Sequence, residues 1–62
     1  MSEELGDIEG QALSQYSLGS IFKVRFNRAE AIRRFSSAKR LYESIGDLSS
    51  AQEIGQELAT LK

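Results

Sequence analysis

The 62-residue sequence predicts an all-α fold, an antiparallel helical hairpin with a third helix stacked on it. Three observations predict it. Apolar residues recur at three- and four-residue spacing, and no long stretch alternates with the period of two that a strand requires. Proline is absent and glycine is sparse, so helices can run without interruption. Helix-start signals fall at Asp7, Asn27 and Asp47, each ahead of a periodic apolar pattern.

These signals place helices at about 8–24, 28–44 and 48–61 in one domain, 1–62. The first helix carries a stripe of Ile8, Ala12, Tyr16, Gly19 and Phe22, with Leu18 beside it. Leu13, Ile21 and Val24 fall on a second side, so one neighbouring helix cannot cover it, and the uncovered part marks an interaction surface. The second helix opens with a capping box, Asn27 with Glu30 three residues on. Its apolar arc is Ala31, Ile32, Phe35, Ala38, Leu41, Tyr42 and Ile45. Arg33 and Arg40 lie opposite that arc, and Arg34 and Lys39 flank it with their methylenes along it. Gly46 suits a left-handed end to the second helix. The third helix shows a narrow stripe of Leu48, Ala51, Ile54, Leu58 and Leu61.

A chain this short forms a marginal core. Apolar burial and chain ordering each amount to about 90 kcal/mol and cancel. There is no Cys and no His, so disulfides and the common soft metal sites are excluded. Oligomerisation or docking to a partner remains as the source of extra stability. Met1-Ser2-Glu3-Glu4 has no apolar run behind it and does not read as a signal peptide. No apolar stretch approaches the ~20 residues that span a bilayer. A cytoplasmic chain without a membrane partner is therefore expected.

Net charge is −1, unevenly spread. Residues 1–22 hold Glu3, Glu4, Asp7 and Glu9 with no basic residue. Residues 23–40 hold Lys23, Arg25, Arg28, Arg33, Arg34, Lys39 and Arg40 against Glu30 alone. Residues 41–62 are acidic again, with only Lys62 opposing Glu43, Asp47, Glu53 and Glu57. Such blocks orient partners. The plain use of the basic block is a solvated face with cross-helix pairs to Glu9, Glu53 or Glu57. Its other uses are an acidic protein surface, including the acidic ends of another copy, or phosphates.

Leu5-Gly6-Asp7-Ile8 returns forty residues later as Ile45-Gly46-Asp47-Leu48. In that register Leu18 matches Leu58, Gly19 matches Ala59 and Ile21 matches Leu61. The third helix therefore reads as a second copy of the first, without a copy of the second to follow it. Gln15-x₂-Leu18-Gly19-x₂-Phe22, then Ala31-x₃-Phe35, resembles the tetratricopeptide pattern of W-x₂-L-G-x₂-Y followed by A-x₃-F and then P. The small Gly19 and Ala31 suit a close helix crossing, with Phe22 and Phe35 as the knobs around it. Gln15 stands in place of the Trp, Glu43 in place of the Pro, and the period is 40, against about 34. The likeness covers residues 5–61 and implies one and a half repeats of a longer-period variant, a fragment of an α–α superhelix. HEAT and armadillo repeats run near 40 but lack this spacing.

The resemblance also implies a role. In such repeats the first helix of each pair lines a concave groove that binds peptides. Here that places Leu13, Tyr16, Ser20 and Lys23 in the groove, with Gln56 and Thr60 from the third helix. Tyr16 is amphipathic and suits such a surface. Leu13 and Tyr16 packing against a second copy is the competing use. The family's familiar groove chemistry holds a C-terminal carboxylate with Lys and Asn. Tyr16 and Ser20 stand where those would be, so carboxylate capture is not expected.

Catalysis is not expected, because no His or Cys offers a base or nucleophile and no phosphate loop is present. Glu53 and Glu57 lie one turn apart on the exposed side of the third helix and read as solvated charge. No cofactor and no metal are expected. The expected function is protein–protein interaction, by self-association into a homo-oligomer or by docking to a larger scaffold. Its partner-binding residues are Leu13, Tyr16, Ser20, Lys23, Val24, Arg33 and Arg40. The alternative is a small nucleic-acid-associated regulator using Arg33, Arg34, Lys39 and Arg40. The net acidity and the lack of a recognition helix or aromatic stacking platform disfavour it.

Overall fold

The structure is a computed structural model that describes residues 3–61, with side chains from Asp7 to Leu61. Three helices follow one another, α1 (Glu3–Val24), α2 (Arg28–Ser44) and α3 (Leu48–Leu61). The fold is all-α, with α1 packed on α2 and α2 on α3. Each turn is three residues long, and neighbouring helices pack antiparallel, so that α1 and α3 run parallel on one side of α2. The result is a slab of 39 × 17 × 12 Å.

The starts of α2 and α3 match the expected bounds, but α1 begins at Glu3 and not near 8. Gly6 and Asp7 lie inside the helix, so Asp7 is not a cap. One glycine costs a helix only about 1 kcal/mol, and carboxylates favour the first turns of a helix. The equivalent Gly46-Asp47 does form a turn. Gly46 has φ 81, and Asp47 caps α3 by accepting from the Ser50 N–H (3.3 Å) and the Ser50 hydroxyl (2.9 Å). At α2 the Glu30 N–H donates to Asn27 Oδ1 at 3.5 Å.

Both turns close in the same way. The Asn27 N–H donates to the Phe22 carbonyl (2.8 Å) and the Phe26 N–H to the Lys23 carbonyl (3.1 Å). The Asp47 N–H donates to the Tyr42 carbonyl (2.9 Å) and the Gly46 N–H to the Glu43 carbonyl (3.1 Å). This is the Schellman pattern, with Phe26 and Gly46 at its left-handed position. Phe26 adopts φ 61 there, although it carries a side chain.

The core consists of Ala12, Ala31, Phe35, Ala38, Tyr42, Ala51 and Ile54. Four alanines among seven residues mean closely approaching backbones. The tightest point is Gly19, where a Cβ would lie 2.9 Å from Phe35 Cδ1 and Cε1. Tyr16, one turn away on α1, also packs on that ring, with centroids 5.5 Å apart. Leu48, expected in the apolar stripe of α3, is exposed, because the stripe turns into the core only from Ala51.

Gly19→Ala should therefore destabilise the fold. The Phe35 ring is fully buried and has no room to give way, so overpacking of about 1–3 kcal/mol outweighs a helix-propensity gain of about 1. Urea unfolding should show a net loss on the order of 1 kcal/mol. Phe26→Gly should act in the opposite direction. It removes left-handed strain of roughly 1–2 kcal/mol against a glycine entropy cost of roughly 0.5–1, and a higher melting temperature would record the gain.

Candidate functional site

Because α1 and α3 run parallel, their facing sides form an open groove floored by α2. The α1 side is set by helical spacing: Leu13, Tyr16, Ser20 and Lys23 advance along one edge. From α3 come Ser50, Glu53, Gln56, Glu57 and Thr60. At one end a hollow of about 200 Å³ is lined by Leu13, Tyr16, Tyr42, Ser50, Glu53 and Ile54. The middle is lined by Tyr16, Glu53, Gln56, Glu57 and Thr60. At the other end Lys23, Phe26, Arg28, Thr60 and Leu61 enclose a further hollow.

Lys23 closes the groove across its width, with its Nζ 2.9 Å from Glu57 Oε1. This is the cross-helix pair realised from the basic block. The other pairs lie within α2: Lys39 meets Glu43 at 2.8 Å, and Arg33 and Arg34 each reach Glu30 at 3.9 Å. Arg34 also donates to Gln15 Oε1 at 3.3 Å, and its guanidinium sits 5.9 Å from the Phe22 ring centroid. Half-exposed surface pairs of this kind add roughly 0–1 kcal/mol, so they set direction more than stability.

Leu13, Tyr16, Lys23, Gln56 and Thr60 are thus gathered along one groove. Ser20 sits one turn beyond Tyr16, half-buried. Val24 lies past the end of this edge, 77% exposed. Arg33 and Arg40 are not in the groove. Both are on exposed positions of α2, and Arg40 borders shallow hollows with Gln15, Ser37 and Leu41 and with Gly55 and Leu58. The residues not anticipated for the groove are Tyr42 and Ile54 on its floor, Ser50, Glu53 and Glu57 on its rim, and Phe26, Arg28 and Leu61 at its end. The first two read as core in the sequence, which they also are. Phe26 had one available signal: it immediately precedes a helix-capping Asn, as Gly46 precedes Asp47.

The chain matches no family model, no curated protein and no solved structure. No cluster of three or more potential metal-ligating side chains occurs among the described residues. No helix among them is long and apolar enough to cross a membrane.

Electrostatically the groove end at Leu13 is acidic. Burial pushes the Tyr42 phenol above its usual 10.0, and the Asp47 and Glu9 carboxylates and the Tyr16 ring add to the rise. The folded chain therefore holds this proton longer than the unfolded chain does. That contribution to stability is complete below pH 10.0 and is lost as pH climbs through the folded value. Tyr42→Phe should melt at a temperature that changes less with pH than wild type between about pH 9 and 11.

Proposed function

We propose that the chain is a protein–protein interaction module, which self-associates or docks to a larger protein scaffold in the cytoplasm. One observation carries this reading. Leu13, Ile21 and Val24 are 54%, 50% and 77% exposed on the same helix whose other face, at Ala12 and Gly19, is fully packed on α2. A helix with two apolar faces and one of them uncovered is built for a second neighbour. The uncovered row borders the α1–α3 groove, so a bound chain would touch both. The tetratricopeptide resemblance supports the same choice, since it assigns the facing sides of first helices to peptide binding. The basic face of α2 is the weaker candidate, because Arg34 and Lys39 spend their charge within the molecule.

Leu13→Asp with Val24→Asp should abolish association, and Arg33→Glu with Arg40→Glu should preserve it. Both pairs are exposed, so both variants should keep a wild-type helical circular-dichroism spectrum. Sedimentation and affinity capture at low and high salt measure the outcome. Association that survives the first pair and is lost in the second would move the site to the basic face, and a steep salt dependence would then favour phosphates.

A further inference from the structure

Phe26 is 94% exposed and stands in a left-handed backbone conformation. The same turn, built with the same two hydrogen bonds, recurs twenty residues later with glycine at the corresponding position. Glycine there would remove the strain, and the exposed ring gains almost nothing from its own chain. Strain of this kind collects where a side chain is needed for contact outside the fold. Lys23, Arg25 and Arg28 surround the ring in sequence, all exposed, so whatever receives it should be apolar at the centre and acidic at the edge.

The protein itself carries such a receptor. The hollow lined by Leu13, Tyr16, Tyr42 and Ile54 lies toward the opposite end of the groove and has Glu53 in its wall. Glu9 lies one helical turn before Leu13 on α1, exposed. Its volume of about 200 Å³ exceeds the roughly 150 Å³ of an apolar cavity that admits benzene. We infer that Phe26 is a docking knob that inserts into the Leu13–Tyr16–Tyr42–Ile54 hollow of a second copy of this chain, with Arg25 and Arg28 meeting Glu9 and Glu53. This rests on the interaction-module reading and names its partner. Knob and hollow are different patches of one molecule, so the contact closes as a two-fold dimer where each ring enters the other copy's hollow, and otherwise repeats head to tail.

The test uses two variants and their mixture. Wild type should gain mass with concentration in light scattering, to twice the 6.9 kDa chain mass or beyond. Phe26→Gly, a substitution that relieves the backbone, should lose association by about 30-fold or more. Leu13→Asp should do the same by spoiling the hollow. Mixed one to one, the two variants should form a discrete heterodimer, because one chain keeps the knob and the other keeps the hollow. A mixture that remains monomeric, or a Phe26→Gly protein that assembles like wild type, overturns the inference. So does a wild type that stays monomeric at millimolar concentration, in which case the groove remains available to a different protein and the function proposed above survives. If wild type stays monomeric and Phe26 instead mediates binding to vesicles of anionic lipid, the knob serves a membrane surface and the inference is likewise overturned.

Discussion

The contact of Gly19 with the Phe35 ring sets the rest of this small structure. A glycine on α1 lets the ring lie almost against the helix backbone, and Tyr16 of the same helix packs on it as well. That fixes how near α1 comes to α2. Ala12, Ala31 and Ala38 then become the natural occupants of the remaining interface, because larger side chains would hold the helices apart. Tyr16 is used twice. It packs on the core ring and, at 37% exposed, also lines the groove wall. Packing and binding surface are therefore coupled through one side chain.

The two turns convert this pair contact into a groove. Asn27 and Asp47 each close the preceding helix with their backbone N–H and cap the following helix with their side chain. A residue that does both leaves little slack between helices, and the close helix packing turns each connection into an antiparallel reversal. Two such reversals bring α3 parallel to α1, on the same side of α2. The groove is thus a consequence of turn chemistry. The Lys23–Glu57 pair, short but half-exposed, then selects which charges face one another across it.

Turn chemistry is also what made most of the fold legible. Asn27 with Glu30, and Gly46 with Asp47, are local signals whose hydrogen bonds involve residues only a few positions apart, so α2 and α3 could be bounded from sequence. The start of α1 could not. Leu5-Gly6-Asp7-Ile8 nearly repeats Ile45-Gly46-Asp47-Leu48, yet one is helical and the other a turn. Gly6 continues a helix that begins at Glu3, whereas Gly46 takes the left-handed conformation that ends α2. The groove was partly legible, since Leu13, Tyr16 and Lys23 share a helical edge. Its floor was not, because Tyr42 and Ile54 belong to the core and to the hollow together, and periodicity assigns a residue to one face only. Phe26 was the least legible residue, because conformational preference alone would place glycine there.

Surface area sets a scale for what such a molecule can bind. The chain exposes 4423 Å², against about 4,000 Å² for a compact protein of this mass, as expected for a thin slab whose core is largely alanine. A standard specific interface takes about 800 Å² from each partner, which would be close to a fifth of that surface. A single ring seated in one hollow buries much less and should bind weakly on its own. The exposed row of Leu13, Ile21 and Val24 supplies additional apolar area beside the hollow. A partner that covers both would gain affinity and also stabilise a fold whose own core is nearly balanced by chain entropy, because any ligand that binds only the native state shifts the folding equilibrium toward it. Folding and association of this chain are therefore expected to be linked, with stability rising as the apolar row and the hollow become occupied.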